Sequence, residues 1–244
     1  MDIDIDILKQ ENLRLAEQLK NAQKWMQEEV SWAQKTIAKK WSFIESIERK
    51  VYTFFPPEAL SHFPSDGVEN IVSSELIYKH LLEGDKIDGT WVMIWYQKVL
   101  DAMVELYITK WYRTYASKNN SHLSHTNNPL EKSLELVIQK KHILSLWRLY
   151  QILKRINKEK IEGSYLRSFH DYLKSRSFLE KALLETDFFL QLQSLVHMHV
   201  LTEKRHSWKL NYTDTLKARD ICIWDFTDTN ALLYILSASQ STSL

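Results

Sequence analysis

The chain is expected to be all-α, an N-terminal coiled-coil helix followed by a helical bundle, and three features of the sequence point there. Glycine and proline number only 4 each in 244 residues; at average usage of roughly 7% and 5% such a chain would carry about 29 together. Sheets need both for tight turns and bulges, whereas helix interiors exclude them. The second feature is a run from about Ile5 to Val51 with neither residue, in which apolar side chains recur at three and four. The third is that the few breakers cluster, at Phe55-Pro56-Pro57, Pro64 to Gly67 and Gly84 to Gly89.

Composition narrows the class further. Apolar residues make up 44%, enough for a core, and 32 Lys and Arg nearly balance 31 Asp and Glu. A neutral chain has no global field to draw it onto nucleic acid or anionic lipid, so such binding would need a local patch. The single cysteine, Cys222, excludes an intramolecular disulfide and a multi-cysteine zinc site. The start, MDIDIDILK, lacks the apolar core of a signal peptide, and the longest apolar run, Val92 to Tyr96, is too short to span a bilayer. The expectation is a cytoplasmic protein.

Three parts are expected: a coiled-coil arm over 1–52, a helical body over 53–238 and a disordered tail over 239–244. In the arm, Ile5, Asn12, Leu19 and Met26 take heptad position a, while Leu8, Leu15 and Ala22 take d. An Asn at a pairs across the seam of a parallel dimer and fixes register. The pattern slips by four after Met26 and resumes at Val30, Ala33, Ile37, Ile44, Ile47 and Val51, a stutter that locally unwinds a supercoil. Ile5, Leu8, Asn12, Leu15, Leu19, Ala22 and Met26 are the expected homodimer surface. A monomeric amphipathic helix shows the same spacing, so packing on the chain's own body is the alternative. Trp25, Trp32 and Trp41 are expected to be core anchors where arm meets body.

In the body, helices are expected over about 68–82, an aromatic and mostly buried one over 91–116 with Thr90 as cap, then a polar loop SKNNSHLSHTNNP. A long helix over 130–158 should follow, then 164–175, 178–203 and one from Thr213 to Trp224. Thr229 should cap a short last helix.

Candidate chemistry is sparse. His197 and His199 would point about 200° apart on a helix and cannot chelate together, so no metal and no cofactor is expected. No phosphate loop or nucleophile elbow occurs. Asp85 and Asp88 read as turn formers, and Cys222 sits between Ile221 and Ile223 as a core residue. Lys141, Arg148 and Arg155, seven apart on the expected long helix and flanked by Lys154 and Lys158, form a basic stripe that could follow phosphates. As a rule such a stripe is a solvated face.

The segments PPEALSHF and IVSSELIYKHLLEGDKIDGTWVMIWYQKVLDAMVELYITKWY, followed by EKRHSWKLNYTDTLKARDICIWDF at 203–226, resemble HEPN-like domains, all-α modules of prokaryotic defence systems. The resemblance covers roughly residues 55–238 and implies a dimerising helical module. Catalytic members carry an Arg four to six residues before a His. Here His206 falls at the family's His, but positions 199–201 hold His199, Val200 and Leu201, and Arg205 abuts His206. RNA cleavage without metal needs an acid or base and a cation for the developing charge. The resemblance therefore implies a non-catalytic adaptor or regulatory subunit. The competing reading is a ribonuclease using Arg205 and His206, with Lys204, at an unorthodox site.

Overall fold

The computed structural model describes residues 3–61, 63–84, 86–119, 123, 125–185, 187–198 and 210–238, the side chains of 3–12 and 185 excepted. Among these residues the chain is all-α, with no strand. It divides into two units, Met1–Ser46 and Ile47–Leu244, a boundary that falls inside the first helix.

That helix, α1, runs Ile3–Phe54 without interruption, as a breaker-free segment should. At 100° per residue, Leu15, Leu19, Ala22, Met26, Val30, Ala33 and Ile37 fall within about 80° of its circumference. From Ile47 the helix belongs to the second unit, where Ile47, Val51 and Phe55 are buried. Phe55-Pro56 stops it, and Pro57 opens the short α2, Pro57–Ser61, at the first helical position, where a missing N–H does no harm.

In the second unit α3, Gly67–Leu82, packs along α4, Thr90–Val104. The α4 helix continues through a π-helical turn, Glu105–Thr109, into α5, Lys110–Asn119. Tyr96, Val99, Leu100, Met103, Ile108 and Tyr112 are buried along it, as its apolar content requires, although Trp91 and Trp111 are exposed. The Tyr172 hydroxyl donates to the Ile108 carbonyl inside the π turn, at 3.3 Å, where regular i to i+4 bonding is interrupted. Thr90 is the first helical residue rather than the cap. The Asp88 carboxylate accepts its N–H at 2.9 Å, the turn-forming role expected of that aspartate, while Asp85 lies outside the described residues.

The expected helix over 130–158 is in fact two, α6 over Pro129–Ile138 and α7 over Leu146–Asn157. Lys140 adopts φ 58°, its N–H reaches Val137 O and the Lys141 N–H reaches Leu136 O, the two bonds of a Schellman ending. Ser145 then caps α7 on the Arg148 N–H, and Asp101 of α4 accepts the Leu146 N–H at 3.1 Å. The end of α7 repeats the device with Glu159 at φ 54°. A left-handed residue there is usually glycine, and this chain places a lysine and a glutamate instead.

Helix α8, Ser164–Lys174, packs on α6 and α5. Gly163 precedes it with φ 109°, and a Cβ there would lie 2.1 Å from the Glu131 carboxylate. That carboxylate accepts the Tyr165 and Leu166 N–H groups at 2.9 and 3.0 Å, so a side chain from α6 caps α8 and glycine makes room for it. The expected helix over 178–203 is also divided, into α9, Ser177–Glu180, a π turn, Lys181–Glu185, and α10, Phe188–His197. Helix α11, Tyr212–Thr227, is capped by Asn211 on the Asp214 N–H, two residues before the expected Thr213, and α12, Leu232–Ala238, follows. The Asp228 carboxylate accepts the Asn230 N–H in the turn between them. Helix α4 lies at the centre, against α3, α7, α11 and α12.

Left-handed backbone costs a side chain-bearing residue about 1–2 kcal/mol, and glycine returns part of that gain as unfolded-state entropy. Lys140→Gly and Glu159→Gly should each stabilise the protein by up to about 1 kcal/mol in urea unfolding. Gly163→Ala should destabilise it by more than that, because φ and space both forbid the methyl.

Candidate functional site

The arm presents its stripe to solvent. Leu15, Leu19, Met26, Val30 and Ile37 are each between 50% and 62% exposed. Arg14, Glu17, Lys20, Lys24 and Glu28 lie on other faces, so this stretch of the helix is amphipathic with its apolar face in solvent. Of the expected a and d residues, Leu15, Leu19, Ala22 and Met26 have described side chains and share this face. Ile5, Leu8 and Asn12 continue the helix in backbone, but their side chains lie outside the described residues. Trp25, Trp32 and Trp41, expected as core anchors, are 61–67% exposed. Trp25 and Trp32 sit about 100° and 120° from the stripe's centre at 100° per residue, too far round the helix to join that face.

The body holds a buried charge cluster that the sequence reading missed. Arg219 on α11 is only 3% exposed. Its Nε and Nη2 donate to the two carboxylate oxygens of Glu75 on α3 at 2.7 and 2.8 Å, and Nη2 also lies 2.6 Å from Asp225. The Tyr96 hydroxyl of α4 donates to the same carboxylate at 2.5 Å, and the guanidinium lies 4.5 Å from the Tyr78 ring centre. Burial alone would lower the Arg219 pKa, but the Glu75 hydrogen bonds and charge outweigh it and hold the group firmly cationic. Burial and the Glu75 charge push the Tyr96 phenol well up, and burial pushes the Cys222 thiol up, which disarms it as a nucleophile. The missed signal was spacing: Thr215, Ala218, Arg219, Cys222, Ile223 and Phe226 are all buried, so the arginine stands in the apolar row of its helix.

Just beyond Arg219 the backbone turns left-handed. Trp224, Asp225 and Phe226 have φ of 40°, 48° and 62°. Three successive L-residues in that region cost roughly 3–6 kcal/mol together. The contact of Asp225 with Arg219 helps hold the turn, and so does Phe226, packed 6.1 Å from the Phe54 ring. The turn leaves Trp224 52% exposed beside a groove of about 580 Å³ between α10 and α11. Asp220, whose carboxyl burial pushes up, lines that groove with Asp228.

Two other acidic side chains serve the fold. Glu105 pairs with Arg113 at 2.6 Å, and Arg113 also donates to the carbonyls of Val137 and His142, tying α5 to the end of α6. Glu135 is held at about 2, first by its hydrogen bond with His125 and then by Lys132.

The expected basic stripe is broken up. Lys141 lies in the turn after α6, not on the helix of Arg148 and Arg155, and the Lys154 ammonium lies 5.6 Å from the Tyr150 ring centre. Arg155 and Lys158 are exposed near the end of α7. Of these residues Arg148 alone lines a cleft of about 460 Å³ between α6 and α7, alongside Lys132 and His142. Arg205 and His206, with Lys204, lie outside the described residues, as does the tail over 239–244. Among the described residues no group of three His, Cys, Asp or Glu side chains could hold a metal ion, and no helix is long and apolar enough to cross a membrane.

Removing one partner of a buried ion pair strands the other charge, at about 3–5 kcal/mol. Arg219→Met should therefore lower unfolding stability by about that amount, and Glu75→Leu combined with Arg219→Met should recover most of it. Glu135 has its pKa depressed on folding, so the stability it contributes is present above the ordinary 4.5 and is lost as pH falls towards about 2. The stability gap between the parent chain and Glu135→Gln should accordingly close as pH falls between those two values. No protein-family model, curated protein or solved structure matches this chain.

Proposed function

We propose that this protein is a non-enzymatic interaction module that self-associates through α1 and serves as an adaptor or regulatory subunit. The observation that carries the reading is the solvent-exposed apolar stripe from Leu15 to Ile37 on a helix of 52 residues. Burying a large apolar side chain is worth about 1.5–3 kcal/mol, so five such positions per copy supply a driving force that no solvated helix would forgo. The occupant is a second copy, aligned in parallel by Asn12 at position a. The charged outer face keeps the pair soluble and away from unspecific aggregation.

The body supports a structural role for its buried ionisable groups. Glu75 and Arg219 pair with each other, Glu131 accepts backbone N–H groups of α8, Glu105 pairs with Arg113, and Cys222 is buried. The resemblance of 55–238 to HEPN-like domains, without their Arg-to-His spacing, adds a dimerising, non-catalytic part in a bacterial defence system as the biological setting.

Sedimentation of the intact chain should give a dimer that dissociates on dilution, and Leu19→Asp with Val30→Asp should give a monomer with an unchanged body. A concentration-independent monomer for the unaltered chain would overturn the reading. Asn12→Leu should tighten the assembly or raise its order, because the polar residue that specifies register is gone.

A further inference from the structure

The apolar row on α1 has a longer period than the heptad. Leu15, Met26 and Ile37 lie eleven apart, as do Leu19, Val30 and Trp41, and Ala22, Ala33 and Ile44. The step of four after Met26 is therefore not a single slip, because it returns between Ile37 and Trp41. Eleven residues close three turns at about 98° per residue, so the row keeps within about 65° and does not drift around the helix. A pair built on such a repeat winds right-handed. All six residues of the first two sets are between 50% and 62% exposed. At roughly 100 Å² from each, a pair buries about 1,200 Å², the size at which specific interfaces begin.

The edges of the row keep the same period. Gln18, Glu29 and Lys40 lie eleven apart along one edge, and Gln23, Gln34 and Glu45 along the other, each about 65° from the centre of the row. In a parallel pair related by a two-fold axis, the first edge of one copy faces the second edge of the other. The nearest residue across is five positions further on, about 7.5 Å along the axis at 1.5 Å per residue. Gln18 then meets Gln23, Glu29 meets Gln34 and Lys40 meets Glu45, the last an ion pair made twice per dimer. Lys40 and Glu45 are exposed, and among the described residues neither takes an ion-pair partner within its own copy. On one helix they stand about 130° apart, on opposite sides of the row, so only a second copy brings them together. In an antiparallel pair like edges meet, which sets Glu29 against Glu29 and Lys40 against Gln18.

We propose that α1 pairs in parallel with a second copy through layers that repeat every eleven residues, with Lys40 of each copy against Glu45 of the other. The inference rests on the self-association of α1 and adds a second determinant of its register. A partner helix of another period drifts off the row, and one without a Lys-to-Glu offset of five leaves both charges unanswered. The chain thus selects its own kind. Trp41 belongs to the interface in this pairing, whereas Trp32 stands on another face of the helix.

The test is a charge exchange in the full-length chain, read as the dimer dissociation constant by sedimentation. Lys40→Glu and Glu45→Lys should each weaken the dimer about tenfold, since two attractive pairs become two repulsive ones. The chain carrying both changes should return to within about twofold of the parent, and the spread among variants should shrink in about 1 M salt. Trp41→Asp should abolish the dimer while Trp32→Asp leaves it intact. Circular dichroism establishes that every variant stays helical. Single charge changes without effect, a double variant no better than either single one, or equal affinities for Trp41→Asp and Trp32→Asp would each overturn this pairing and leave self-association standing. A parent chain that stays monomeric would remove both.

Discussion

A bidentate ion pair between Arg219 and Glu75 sets the geometry of the body. Taking both charges out of water costs several kcal/mol per ion, and their attraction repays this only when donors and acceptors are satisfied. Here the Glu75 carboxylate accepts Nε and Nη2 of the guanidinium and the Tyr96 hydroxyl, and Tyr78 lies close to the guanidinium. A planar fork meeting a planar carboxylate tolerates little rotation, so the pair fixes how α11 is turned against α3, with α4 tied in through Tyr96. A hydrophobic pair would hold these helices together but would leave that rotation loosely defined.

The same arginine connects core and surface. Its contact with Asp225 helps hold the left-handed turn that exposes Trp224, and Phe226, the next residue, packs near Phe54 at the end of α1. Strain of this kind persists only where the surroundings over-determine the backbone, and such positions concentrate at sites of recognition. The groove beside Trp224 thus inherits its shape from a contact within the core.

Much of the fold was legible in the sequence, for identifiable reasons. Scarce glycine and proline forced helices, and the breaks at Phe55-Pro56-Pro57, at Pro64 to Gly67 and in the polar run before Pro129 fall where the helices end. The same scarcity hid the break within 130–158: Lys140 and Glu159 occupy positions where glycine would have signalled a stop. Ser145 was the remaining local cue, while the other acceptor at the start of α7, Asp101, lies 45 positions before the Leu146 whose N–H it takes. The π turns leave no pattern of their own, because the apolar row continues through them. Glu75 and Arg219 are separated by 144 residues, and spacing shows only that each stands on an apolar face. Of the surfaces, the heptad stripe was legible because periodicity is local, while the groove was not, because Gln191 and Trp224 come from different helices.

The body buries its apolar rows within the chain, whereas the stripe of α1 from Leu15 to Ile37 stays in water in a single copy. That contrast makes parallel pairing of α1 the central claim, and Cys222, the one cysteine and a buried one, allows a direct measurement. In a parallel, in-register pair, position a of one copy faces position a of the other. Leu19→Cys under mild oxidation should therefore give a reducible covalent dimer in high yield, with Glu17→Cys on the outer face giving little. A Leu19→Cys chain that stays uncross-linked while its new thiol reacts freely with a small alkylating reagent would contradict the claim.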